Sequence, residues 1–223
     1  GVPNKFDPDG NVQRYSGNTF ICPLSPSSVP ELHSSLIALY KKLKLNPLCH
    51  LYALLPPSSW HMTVFEGVCE IHQPGRWPED LPDDASLPEC TALYEKKLST
   101  FDVECDPPYR LSVKGIDLLK SGIELRLEPY TLAEDGRIRD PRDRISTLLH
   151  IRKADHDTYG FHLMISVAYM LRFPTKEQRR ELSQVLEDHF RDLPKQFELG
   201  PIEFCVFEDM YAFKLHLEDH SQK

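Results

Sequence analysis

The chain lacks any apolar stretch approaching the roughly twenty residues a bilayer-crossing helix requires, and no basic-then-apolar leader opens it. It begins at Gly1 instead of methionine, as a trimmed chain would. A soluble, cytoplasmic protein without a membrane partner is expected. Net positive charge is also missing: 26 Lys and Arg stand against 34 Asp and Glu, a formal charge of −8. Such a field repels the phosphates of a long nucleic acid but still permits a small anion held by a few local cations. Glycine-rich phosphate loops, a Gly-x-Ser-x-Gly elbow, Cys-x-x-Cys pairs and His-Glu-x-x-His are all absent. Nucleoside triphosphate, serine-hydrolase and zinc chemistry lose their usual signatures, so no metal or cofactor is expected. The six cysteines are scattered through a chain long enough to build its own core, so they are expected to be reduced and mostly buried. No linker, low-complexity tract or short repeat divides residues 1–223, which are expected to form one bilobal domain and a monomer.

Helix starts are plentiful. Ser28-Val29-Pro30-Glu31, Ser86-Leu87-Pro88-Glu89 and Thr175-Lys176-Glu177-Gln178 fit the capping box, in which a hydroxyl and a carboxylate or amide three residues on satisfy free N–H groups. Asp140-Pro141 reads as a fourth start. Helical spacing follows in each case, as in Leu32, Leu36, Leu39 and Leu43. Strands are expected at 18–24, 50–55, 61–67, 109–119, 122–130, 161–171, 197–208 and 211–217. The acidic, proline-rich stretch from Gln73 to Asp84 reads as a surface loop or lid.

Two strands carry the chemistry. In Trp60–Phe65, alternation sets His61, Thr63 and Phe65 on one face. In Phe161–Tyr169 it sets His162, Met164 and Ser166 on one face, and Leu163, Ile165, Val167 and Tyr169 on the other. Paired imidazoles can divide acid and base roles near neutral pH. A hydroxyl two residues beyond a histidine lies about 6.6 Å along the same face, close enough for both to reach one phosphate. Such a pair suits hydrolysis of a cyclic phosphodiester without a metal. In Gly122–Glu128, Ile123, Leu125 and Leu127 pack while Glu124, Arg126 and Glu128 face the other way, which makes Arg126 a candidate anion contact. His216 alternates with Lys214 and is a further candidate for the cleft, or for an exposed edge.

Paired His-x-Thr/Ser motifs on central strands of two lobes resemble the 2H phosphoesterase superfamily, which includes 2′,3′-cyclic phosphodiesterases and 2′-5′ RNA ligase-like proteins. Lys5-Phe6-Asp7, Gly17-Asn18-Thr19-Phe20-Ile21-Cys22 and His61–Gly67 resemble its DUF1868 branch in particular. The resemblance implies an α+β fold: two pseudo-symmetric lobes of mainly antiparallel sheet, with helices outside and a central cleft. It implies catalytic roles for His61, Thr63 and His162; Asn18, in the Gly17–Cys22 motif, and Arg126 and Ser166, from their strand faces, are the candidate substrate contacts. The second motif departs from the pattern. Two residues after His162 stands Met164, a thioether with no hydrogen to donate, and Ser166 lies about 13 Å along the strand. An alternative alignment makes Ser166 the hydroxyl and puts Met164 where the histidine belongs. The leading expectation is a metal-independent hydrolase acting on a cyclic phosphodiester or short nucleotide. The alternatives are acid–base isomerisation or cyclisation of a non-phosphate metabolite on the same scaffold, and a ligand-binding protein without turnover.

Overall fold

The computed structural model describes residues 3–71, 77–82, 84–103, 105–151 and 163–216. Its strands are β1 (Gly17–Pro23), β2 (Tyr52–Leu54), β3 (His61–Cys69), β4 (Tyr109–Leu118), β5 (Gly122–Pro129), β6 (Met164–Met170), β7 (Gln196–Leu199), β8 (Glu203–Phe207) and β9 (Lys214–Leu215). They form one curled antiparallel sheet in the order β7-β4-β5-β6-β3-β1-β8-β9, with β2 pairing β6 off this path. Four strands of that path lie on each side of the β3/β6 seam, so the sheet has two matching halves. Helices α1 (Pro30–Lys44), α2 (Leu87–Leu98), α3 (Leu132–Leu149) and α4 (Lys176–Asp192) complete an α+β architecture. No helix among the described residues is long and apolar enough to cross a membrane.

The helices bury the stripes their spacing foretold. On α1, Leu32, Leu36, Leu39 and Leu43 are all sealed against the sheet, each contributing about 1.5–3 kcal/mol of transfer free energy. Capping boxes close at Ser86/Glu89 and Thr175/Gln178. Ser28 does not cap α1: its hydroxyl bonds Ser25, and the helix begins at Pro30, which needs no N–H partner at that position. Asp140-Pro141 starts nothing. Thr131 caps α3 nine residues earlier by accepting from the Glu134 amide, and Pro141 lies inside the helix, where it costs only the bond to the Arg137 carbonyl. Ion pairs Arg137–Glu134 and Arg139–Asp135 support that first half. The strand expected over 197–208 is two, β7 and β8, because Gly200-Pro201 breaks the ladder between them.

Bulges decide which side chains share a face. Strand β1 pairs regularly with β8, so Asn18, Phe20 and Cys22 point one way, and Thr19, Ile21 and Pro23 the other. Against β3, Phe20 faces Phe65 while Ile21 faces Thr63 and Pro23 faces His61, so β3 carries an extra residue between Thr63 and Phe65. Phe65 therefore leaves the His61 face and packs with Phe20, Cys90 and Tyr94. A second bulge, in β6, sets Glu124 opposite Ser166 but Ile123 opposite Ala168. Tyr169, opposite Gly122, thereby joins the face of Ser166 and Glu124 instead of that of Ile165. Strict alternation misplaced both aromatics for the same reason.

Candidate active site

Among the described residues, the ladder between β3 and β6 consists of one pair, Met62 with Ile165. Continuing that antiparallel register by one residue in each direction sets His61 opposite Ser166 and Thr63 opposite Met164. Two rows then run across the sheet face turned away from the helices. One is Asp117 on β4, Glu124 on β5, Ser166 on β6 and His61 on β3; the other is Arg126, Met164, Thr63, Ile21 and Glu203. The half-turn that relates two antiparallel strands about a paired position carries Met62 onto Ile165, hence His61 onto Met164 and Thr63 onto Ser166. By register, the counterpart of the His61 imidazole is a thioether and the counterpart of Thr63 is a serine. His162 lies outside the described residues.

His61 is half-buried. Its Nδ1 donates to the Ser59 carbonyl at 2.7 Å, since a carbonyl can only accept, and this leaves the Nε2 lone pair free. Phe213 packs on the ring, with centroids 4.2 Å apart. Burial, reinforced by the Lys5 ammonium and opposed by the Ser59 bond, pushes the imidazole down to about 4. The ring is neutral at physiological pH and is set up to accept a proton through Nε2. Thr63, half-buried beside it on the same strand face, is the nearest hydroxyl along β3.

Lys5 arrives from the N-terminal segment. Asp7 shapes the turn by accepting from the Asp9 and Asn11 amides and the Asn11 side chain; Gly10, at φ 88°, closes it, and a Phe6–Val12 bridge completes a small hairpin. Phe6 is buried against Tyr169 and Tyr211. The Lys5 ammonium then donates to the Tyr169 hydroxyl at 3.1 Å and lies 4.6 Å and 5.2 Å from the Tyr169 and Tyr15 ring centroids. Each residue of the Lys5-Phe6-Asp7 motif thus has a physical task, which its spelling alone did not disclose.

The remaining sequence candidates are placed as follows. Ser166 is half-buried on the site face, next to His61 by register. Arg126 lies on that face, exposed, with Nε 3.3 Å from Asp117. Asn18 points to the helix side and is buried: its Oδ1 accepts from the Val68 amide at 3.0 Å, where a second register shift separates β3 from β1, and its Nδ2 donates to Thr91 of α2 at 3.0 Å. Replacing Asn18 with Ala should strand the Val68 N–H and cost about 1–3 kcal/mol in a urea or thermal melt. His216 contacts Glu95 of α2 and the edge of Phe204, which ties β9 to the helix side. In the suspected lid, Asp80 is held by Lys97 at 2.5 Å and by His150 at 3.0 Å, so the described part of that stretch is fastened to α2 and the end of α3. Lys5, Glu124, Asp117 and Tyr169 complete the face and were not singled out from sequence. Glu124 and Arg126 shared a stripe, but the β6 bulge hid Tyr169, and nothing in the spelling links Lys5 to β3.

Among the cysteines, none is in a disulfide; Cys22, Cys90 and Cys205 are buried, Cys69 and Cys105 are partly so, and Cys49 is exposed. Burial pushes the Cys90 and Cys205 thiols up to about 12.

Comparison with known proteins fits this fold. The crystal structure of a conserved protein of unknown function from Agrobacterium tumefaciens str. C58 matches it with a TM-score of 0.84 at 28% identity, covering 96% of this chain and 89% of that one. A protein from Thermus thermophilus, 16% identical over 87% of each chain, gives a TM-score of 0.44, too low to support a comparison. No curated protein matches the chain. Residues 5–122, more than half its length and spanning Lys5, His61, Thr63 and strands β1 to β4, match the family described as "2H-phosphodiest: Domain of unknown function (DUF1868)". The chain belongs to that 2H phosphoesterase-like family.

Proposed function

We propose that the face holding His61, Thr63 and Ser166 binds a phosphodiester and hydrolyses a cyclic one, such as a nucleoside 2′,3′-cyclic phosphate or a short nucleotide bearing it, without a metal. The observation that carries this reading is the His61 ring: neutral, its Nδ1 anchored on Ser59, its Nε2 free on the same strand face as a hydroxyl. Nε2 takes the proton of an attacking water while Thr63 and Ser166 donate to phosphate oxygens. Lys5 and Arg126 supply the local positive charge that an otherwise acidic protein needs to hold an anion.

Departure of the ribose oxygen calls for a general acid on the side of phosphorus opposite the attacking water. The family resemblance offers His162 for that role; among the described residues the candidate is Glu124. The substrate is small and diffusible, and the chain is taken as a cytoplasmic monomer, in keeping with its free thiols. Met164 at the register counterpart of His61 favours one second reading, acid–base rearrangement of a metabolite without phosphate. The test is turnover of 2′,3′-cyclic nucleotides in the presence of a chelator by wild type and His61→Ala. Turnover that vanishes in the variant supports the phosphodiesterase, whereas its absence in the wild type rejects it.

A further inference from the structure

We propose that Glu124 is the general acid of this site, resting on the phosphodiesterase reading: its carboxyl protonates the ribose oxygen that leaves as His61 activates the water. The side chain lies on the same sheet face as His61, in the same row, with Ser166 between them. Adjacent strands lie about 4.8 Å apart, so the two backbones are separated by about 10 Å. That gap suits an in-line displacement, in which attacking and leaving oxygens stand on opposite sides of phosphorus and each partner reaches its oxygen over about 2.6–3.2 Å. Ser166, between the two, is placed to touch the phosphate itself.

Glu124 is only 7% exposed, unusual for a carboxylate without a purpose. The groups facing it are Asp117 from β4, Lys5 from the N-terminal hairpin, Ser121 from the β4–β5 turn and Ser166 from β6; Arg126, two residues along, is engaged by Asp117. Burial and then the facing Asp117 carboxylate push the Glu124 carboxyl above the usual range, while Lys5 and Ser121 pull it partway back. A carboxyl that binds its proton more tightly than usual is the better matched to a donor's role, whereas Met164, at the register counterpart of His61, has no proton to give.

The step balances without a further reactant. A water oxygen bonds to phosphorus, the bond from phosphorus to the ribose oxygen breaks, His61 Nε2 gains the water proton, and the Glu124 proton goes to the departing oxygen. Exchange with solvent resets both residues.

The test is Glu124→Gln, which keeps size and hydrogen bonding, assayed on a 2′,3′-cyclic nucleotide across pH. We expect kcat to fall by about 10²–10⁴, KM to stay within a few-fold, and the alkaline limb of the wild-type profile to disappear from the residual rate. Glu124→Asp should retain that limb at reduced kcat, and it serves in place of the Gln variant if the latter fails to fold. An unchanged kcat, a limb that survives in Glu124→Gln, or a limb that instead vanishes in His162→Ala would overturn the assignment while leaving the phosphodiesterase reading intact. Absence of turnover in the wild type would remove both.

Discussion

Replacing His61 with Ala is expected to lower kcat/KM on a 2′,3′-cyclic nucleotide by about 10²–10⁴, the usual contribution of one acid or base group. The fold should tolerate the change, because the ring is only half-buried and its one hydrogen bond goes to the neighbouring Ser59 carbonyl. The wild-type pH profile carries the finer signature. A free imidazole would give an acid limb near its usual 6.5, but this one is pushed down to about 4, so kcat/KM should hold through mildly acidic pH and fall only near 4. Stability moves with the same proton. The folded value lies below that of the unfolded chain, so acidification protonates the unfolded state first. The stability held by neutral His61 is complete above about 6.5 and drains away as pH falls toward 4. His61→Gln should flatten that part of a stability–pH curve, and an unchanged curve would show that the ring is not desolvated as described.

Gly67→Ala is expected to cost about 3 kcal/mol or more of stability. A Cβ there would sit 2.5 Å from the Asn18 carbonyl oxygen and collide with the Asn18 Oδ1 that receives the Val68 amide. Overpacking alone typically costs about 1–3 kcal/mol, and a stranded buried N–H adds about 1–3 more. Since domains hold only about 5–15 kcal/mol in total, the melting midpoint should drop visibly. Removing the amide with Asn18→Ala should relieve part of the penalty but not all, because the backbone carbonyl remains. A double-mutant cycle measured by urea unfolding checks this, and full additivity would contradict the contact.

Periodicity and turn chemistry were enough to read the helices and most strands, because apolar spacing and capping hydroxyls act locally. Leu32, Leu36, Leu39 and Leu43 all fell on the buried side, and Ser86 and Thr175 capped as their neighbours required. The errors arose where a distant partner overrode a local rule. Pro141 sits mid-helix because Thr131 had already begun α3, and Phe65 and Tyr169 changed faces because bulges in β3 and β6 shift alternation by one. His61 and Thr63 kept their shared face because they precede the bulge. Lys5 and Glu124 were invisible as site residues for another reason. A charge on a hairpin or an exposed-looking stripe acquires meaning only when the sheet curls and brings it beside β3 and β6. The Met164–Ser166 alignment, open from sequence, turns on a single ladder pair, Met62 with Ile165, that no local pattern encodes.

A crystal structure of the protein soaked with a nucleoside 2′- or 3′-monophosphate, the two products that opening of a 2′,3′-cyclic phosphate can give, tests the site most directly. We expect the phosphate on the helix-free face, with one oxygen about 2.6–3.2 Å from His61 Nε2 and others within reach of Thr63 and Ser166. A phosphate bound elsewhere, or an empty face at saturating nucleotide, would contradict the assignment of this face as the active centre.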